Sequence, residues 1–193
     1  MNRKKQFASI DVETTGLQAG NHEIVELSII LFNPILEQGK VTKKFEITDS
    51  FTTKIRPMRP EVTDPKAMKI NGLRLEDLKE KPTPQQIRNT FFNWHEEVTH
   101  NALITPLGHN FCFDQGFLKV FFGSYYPDIF SHKYHDTRSV AQSLRFLGKI
   151  PKTQSCKLEE LCKYFEIKHK AHTAKGDALA TIKLYEHLLE LVT

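Results

Sequence analysis

Asp11 and Glu13 stand two residues apart at the end of a short apolar run, Phe7 to Val12, and Thr14-Thr15-Gly16 follows them. On a β-strand, side chains two apart share a face. Both carboxylates therefore point the same way, while Val12 points into the core. Two carboxylates so close repel, and each resists ionising unless a cation lies between them. A hard divalent ion such as Mg²⁺ or Mn²⁺, which takes oxygen ligands, resolves that conflict. Two solvated acids at a strand end are the plain alternative.

Two further acids open helices. Gly108-His109-Asn110-Phe111-Cys112-Phe113-Asp114 follows an apolar strand and runs into an amphipathic helix, with Asp114 in its first turn. His172-Thr173-Ala174-Lys175-Gly176-Asp177-Ala178 places Asp177 at another helix start and His172 in the loop before it. Singly, each acid is explained by the helix dipole. Together Asp11, Glu13, Asp114 and Asp177 come from three separated segments, each at a strand end or helix start, where α/β folds gather their sites. His172 is a candidate general base beside them, because an imidazole titrates near neutrality.

The elements that must bring these residues together are readable as periodicities. Strands are expected at Phe7 to Val12, at Ile24 to Phe32 (ended by Asn33-Pro34), and within Lys43 to Ile55, with an interruption at Asp49-Ser50. A short helix from Pro65 to Asn71 ends at Gly72. Thr83-Pro84 starts a helix reaching Val98, with Ile87, Phe91, Trp94 and Val98 on one face. Ala102 to Leu107 reads as a strand, Phe111 to Phe121 as a helix capped by Asn110, and Lys133 to Asp136 as a brief strand. Helices follow at Thr137 to Phe146, Lys157 to Phe165 and Ala174 to Leu191, the last with Ala178, Ile182, Tyr185 and Leu189 inward. Strands that then alternate with helices predict an α/β or mixed sheet flanked by helices.

The 193 residues suit one domain, residues 1–193. Hydrophobic residues make up 39% and charged residues 26%, which excludes a disordered chain. Cys112, Cys156 and Cys162 form no metal spacing and are odd in number, so a disulfide scaffold and a zinc finger are set aside and a reducing cytoplasm is expected. The basic start carries no apolar segment after it, and the longest apolar stretch, Leu27 to Phe32, is too short to span a bilayer, so no membrane is expected. The net charge is +4. From Lys149 to Lys175 there are seven lysines against Glu159, Glu160 and Glu166, with His169 and His172 among them. That stretch reads either as a solvated helical face or as a patch that meets phosphates.

In this order, Asp-x-Glu-Thr-Thr-Gly at 11–16, His-Asn-x-x-Phe-Asp at 109–114 and His-x₄-Asp at 172–177 resemble the DEDDh family of 3′–5′ exonucleases, and most closely its proofreading epsilon type. Ile70-Asn71-Gly72-Leu73 and His135-Asp136-Thr137 also look like the family's connecting segments. The chain departs from the pattern at Phe111, where members often carry a small residue. The resemblance implies a ribonuclease H-like α/β fold: a mixed five-stranded sheet, its second strand antiparallel to the rest, with helices on both faces. It implies two divalent ions, Mg²⁺ or Mn²⁺, held by Asp11, Glu13, Asp114 and Asp177, with His172 taking the proton of the attacking water. The backbone of Thr14, Thr15, Gly16 and Leu17 would cradle the terminal nucleotide, and His109 and Asn110 would bind it or its phosphate.

The expected substrate is the 3′ end of single-stranded nucleic acid, with DNA preferred and RNA-end trimming as the alternative. Association with a polymerase is compatible with the resemblance. The chain's end soon after its last helix favours a free-standing enzyme. An actin-like or sugar-kinase phosphate loop needs two large lobes, and a haloacid-dehalogenase-type phosphatase wants Asp-x-Asp where position 13 is Glu. A non-catalytic module that holds nucleic-acid ends would normally have lost an acid or the histidine, and none is lost.

Overall fold

The computed structural model describes residues 5–192; the basic start at residues 1–4 lies outside them. Strands β1 (Lys5–Thr14), β2 (Ile24–Glu37) and β3 (Lys40–Lys54) form an antiparallel meander. The chain then passes through α1 (Pro65–Asn71), α2 (Leu75–Leu78) and α3 (Pro84–Thr99) to β4 (Leu103–Gly108), which pairs parallel to β1. Helices α4 (Cys112–Phe122) and α5 (Tyr126–Ile129) lead to the two-residue strand β5 (His135–Asp136), parallel to β4. Helices α6 (Thr137–Phe146), α7 (Leu158–Tyr164) and α8 (Ala174–Glu190) follow. The strand order is β3-β2-β1-β4-β5. Within this sheet β2 runs against the other strands, as the resemblance implied.

Both faces of the sheet are covered. Ala8, Ile10 and Val12 of β1, with Ile29 and Leu31 of β2, pack against Phe91 of α3, Phe117 and Leu118 of α4, and Ile129 of α5. On the other face Ile30, Phe32 and Leu107 meet Ala178 and Ile182 of α8. A strand buried on both faces reads as a continuous apolar run rather than an alternating one, which is why Ile24 to Phe32 is conspicuous. Helices α6, α7 and α8 share a further cluster around Leu144, Leu161 and Leu184.

Local chemistry sets the helix ends. Thr83 and Gln86 form a reciprocal capping box at α3, with Pro84 in the first turn. Asp64 caps α1 through the Lys66 N–H at 2.8 Å, and Gly72 ends it in the left-handed conformation, φ 67°.

Several boundaries differ from the sequence reading. Pro34 does not end β2. It pairs with Phe45, and the register shifts between Pro34 and Leu36, so the hairpin continues to Glu37 and Lys40. A bulge accommodates the proline, whose missing N–H the ladder there does not require. Asp49-Ser50 does not break β3; a register shift between Leu31 and Phe32 lies beside it and the strand runs on. Asn110 does not cap α4. It takes a left-handed φ of 68°, Phe111 is the cap residue, and the Phe111 N–H donates to Asp136 at 2.7 Å. On α8, Leu184 and Leu188 are buried with Ala178 and Ile182, while Tyr185 and Leu189 are half-buried. The reason is that α8 packs on the sheet along one side and on α6 and α7 along the other.

Candidate active site

The strand period delivers Asp11 and Glu13 to one face of β1, and the α8 first turn delivers Asp177 to the same place. Ligand oxygens of Asp11, Glu13 and Asp177 all lie within 4.8 Å of one another. The buried Ser9 hydroxyl donates to the Ala178 carbonyl at 2.8 Å and pins α8 to β1 one residue beyond Asp177. Asp114 reaches the cluster from the other helical layer. Its Oδ1 accepts the Val12 N–H at 3.1 Å, at the peptide between the two strand acids.

These acids hold their protons unusually tightly. Burial, then Asp177, Glu26 and Asp114, pushes Glu13 up to about 8. Burial raises Asp114 to about 8 against the pull of the Val12 N–H. Burial and the surrounding carboxylates raise Asp11 well above the usual range. Asp177 is also raised by burial, although His169 draws it back. An all-oxygen donor set of one buried and three half-buried acids that cannot all ionise fits a hard divalent cation, which would supply the missing positive charge.

Beside the acids, the chain turns after β1 on a braced loop. The Thr15 N–H donates to the Glu23 carbonyl at 2.9 Å, and the Glu23 N–H donates to the Thr15 hydroxyl at 2.9 Å. The Thr14 hydroxyl donates to the Gly16 carbonyl at 2.7 Å. Asn71 donates to the Thr14 carbonyl at 3.2 Å and the Asp64 N–H to the Thr15 carbonyl at 2.7 Å. The segment around Ile70 to Leu73 thus serves as the brace of this turn. Gly16 faces the His22 ring so closely that a Cβ there would lie 2.2 Å from it. Thr14 and Thr15 are buried, whereas Leu17 is 75% exposed and Ile70 60% exposed.

Not every expected residue faces the acids. His109 spends both ring nitrogens on the protein: Nδ1 bonds the Thr137 hydroxyl at 2.9 Å and Nε2 the Cys156 carbonyl at 3.0 Å. No ring nitrogen is left for a phosphate. Burial holds His109 at about 4, so the ring is neutral there. Phe111 is fully buried against Gly108 and Tyr134, a core residue that does not reach a base. His172 is exposed on left-handed backbone, φ 61°. The imidazole in contact with the cluster is that of His169, whose Nε2 lies 2.5 Å from Asp177 Oδ1.

Two residues of the site escape a reading of the sequence alone. His169 stands out there only as part of the basic stretch. Glu26 lies directly across β1–β2 from Glu13, is 7% exposed, and accepts the Ala174 N–H at 3.4 Å. Its signal is present: a carboxylate inside the otherwise buried run Ile24 to Phe32 is a buried polar group that needs a reason. Among the described residues no helix is long and apolar enough to cross a membrane.

The family model described as "Exonuclease" (RNase_T) matches residues 9–185. The chain is similar to DNA polymerase III subunit epsilon of Buchnera aphidicola subsp. Schizaphis graminum, 29% identical over 196 residues, which is 96% of this chain and 75% of that protein. It is similar to the PolC-type DNA polymerase III of Halalkalibacterium halodurans, 29% identical over 177 residues, but spans only 11% of that protein. Among solved structures it resembles E. coli exonuclease I in complex with a dT13 oligonucleotide, with a TM-score of 0.72 and 20% identity, over 96% of this chain and 41% of that one. It also resembles the nuclease domain of 3′hExo, a DEDDh family member, bound to rAMP, with a TM-score of 0.70 and 20% identity, over 96% of this chain and 92% of that one. At that identity the likeness speaks for the fold, which is the ribonuclease H-like one. With the family model covering nearly all of its length and the four acids converging as described, the chain belongs to the exonuclease family and is a hydrolytic nuclease.

Proposed function

We propose that residues 1–193 act as one exonuclease domain that removes nucleotides stepwise from the 3′ end of single-stranded nucleic acid, DNA before RNA. The observation that carries this reading is the convergence of Asp11, Glu13 and Asp177 within 4.8 Å, with Asp114 bonded to the peptide between the first two. The likeness to DNA polymerase III subunits favours DNA.

Asp11, Glu13, Asp114 and Asp177 would hold two divalent ions of the Mg²⁺ or Mn²⁺ kind. When bound, such ions neutralise charge on the phosphodiester and lower the pKa of water. The chain's own groups do the rest. The turn Thr14 to Leu17 receives the terminal nucleotide on backbone that Glu23, Asp64 and Asn71 hold still, and exposed Leu17 offers an apolar surface to its base or sugar. Asn110, half-buried on left-handed backbone just before α4, would bind the same nucleotide. His172 accepts a proton at its imidazole from the water that attacks phosphorus. The new P–O bond forms as the P–O3′ bond breaks. A nucleoside 5′-monophosphate leaves, and solvent protonates the 3′ oxygen of the shortened strand.

The test is digestion of matched 5′-labelled DNA and RNA oligonucleotides with Mg²⁺, with Mn²⁺ and in EDTA. A ladder shortening from the 3′ end is expected with either metal and none in EDTA, with faster loss of DNA. Asp11→Asn should lose several orders of magnitude in rate while remaining folded. Full activity in EDTA, or digestion of a closed circular single strand, would sink the proposal.

A further inference from the structure

His169 comes to Asp177 by a specific piece of loop geometry. Between α7 and α8 the segment Lys170 to Thr173 folds back across the first turn of α8. The Thr173 hydroxyl accepts the Gly176 N–H at 3.2 Å and also donates to the Lys170 carbonyl at 3.2 Å. The crossing is so close that a Cβ at Gly176 would sit 2.1 Å from the Lys170 carbonyl oxygen. Glycine is the residue that permits such an approach. The chain leaves this crossing in two directions. The His172 side chain is exposed, while His169 is turned inward, its side chain 8% exposed against an Asp177 side chain 16% exposed.

A carboxylate offers two oxygens and about four lone-pair sites. His169 uses one site, on Oδ1 of Asp177, and Asp177 still contributes an oxygen to the cluster with Asp11 and Glu13. A ligating carboxylate that is itself hydrogen-bonded is held at one rotation, so an ion need not order it. The His172 backbone is the other group that hydrogen-bonds the Asp177 carboxylate, so the same loop grips it at two points.

We propose that His169 is a positioning residue: it orients Asp177 for metal binding and leaves proton transfer to His172. The inference deepens the exonuclease proposal and rests on it. The division of labour also accounts for two histidines three residues apart with opposite exposure.

The experiment compares Mn²⁺ affinity, by EPR or calorimetry, with single-turnover cleavage at saturating Mn²⁺. It uses the full chain and its variants His169→Gln, His169→Phe, His172→Ala and Asp11→Asn. Outer partners of metal ligands typically contribute about 10–100-fold in affinity. His169→Phe fills the space without a donor, so Mn²⁺ binding should weaken by roughly that factor and most of the rate should return at saturating metal. His169→Gln can donate an N–H and should restore most of the affinity. His172→Ala should bind Mn²⁺ like the unsubstituted chain yet lose about 10²–10⁴-fold in turnover. Unchanged Mn²⁺ affinity in His169→Phe would overturn the positioning role. So would a lost rate at saturating metal with intact affinity, which would make His169 itself the proton acceptor. An unsubstituted chain that binds no Mn²⁺ would overturn the metal-dependent reading as well. Binding that Asp11→Asn abolishes and His169→Phe leaves untouched would overturn this inference alone.

Discussion

The backbone N–H of Val12 donates to Oδ1 of Asp114 at 3.1 Å, joining the middle of the β1 acid pair to the first turn of α4 across 102 residues of chain. Asp114 therefore has two duties, and substitution separates them. Asp114→Asn keeps an acceptor oxygen and should unfold in urea close to the unsubstituted chain while losing nuclease activity. Asp114→Ala strands a buried N–H, which costs about 1–3 kcal/mol, and the urea midpoint should fall accordingly. Equal midpoints for the two variants would refute the second duty.

The raised acids make the metal-free protein sensitive to pH in a defined sense. Glu13 and Asp114 titrate at about 8 when folded, and Asp11 and Asp177 are raised too. Unfolded, they would ionise in the ordinary carboxylate range near 4. Between those limits the folded state binds more protons, so stability falls as pH rises. In EDTA the contribution of these groups to the thermal midpoint should be full below about pH 4 and decline from there toward pH 8. Mg²⁺ or Mn²⁺ should raise it more at pH 8 than at pH 5.5, because binding to these acids displaces protons. Asp11→Asn should flatten the decline. Melting curves across that range, with and without metal, check all three.

Lys168 and Lys170 are exposed on the loop that carries both histidines. If they meet phosphates, affinity for longer single strands should fall steeply with salt. Each lysine–phosphate pair removed should lower the log–log slope by roughly 0.7 for single strands. Replacing both with Gln and measuring binding from low to moderate salt decides the matter, since an unchanged slope returns the patch to a solvated face.

Gly16 has no room for a Cβ because the His22 ring occupies that space. Gly16→Ala should destabilise the chain by about 1–3 kcal/mol, the range of overpacking, and weaken substrate binding at the Thr14 to Leu17 turn. Adding His22→Ala should recover part of the stability. If the double variant is no more stable than Gly16→Ala, ring contact is not the cause.

Much of this molecule is legible before any coordinate, wherever the cause acts within a few residues. Asp11 and Glu13 share a face because strand side chains alternate. Thr83 and Gly72 bound their helices through capping and left-handed geometry that neighbours alone determine. The apolar runs at Phe7 to Val12 and Ile24 to Phe32 announce strands buried on both faces, and their alternation with helices indicates the α/β class. Pro34 misleads because a proline ends a strand only where its missing N–H would have been paired, and a shifted register removes that need.

What the amino-acid order determined by itself is the set of acids, their placement at strand ends and helix starts, and the family they resemble. Only the tertiary structure decided which histidine meets them. His109 turns inward to Thr137 and Cys156, His172 is exposed, and His169 reaches Asp177. It likewise set Glu26 against Glu13 and buried Phe111 on Gly108. The physical reason is that backbone period dictates which side chains of one segment share a face. Which of several chemically equivalent side chains enters a site depends on where distant segments cross, and here on a glycine at position 176 that lets one loop pass close over another element.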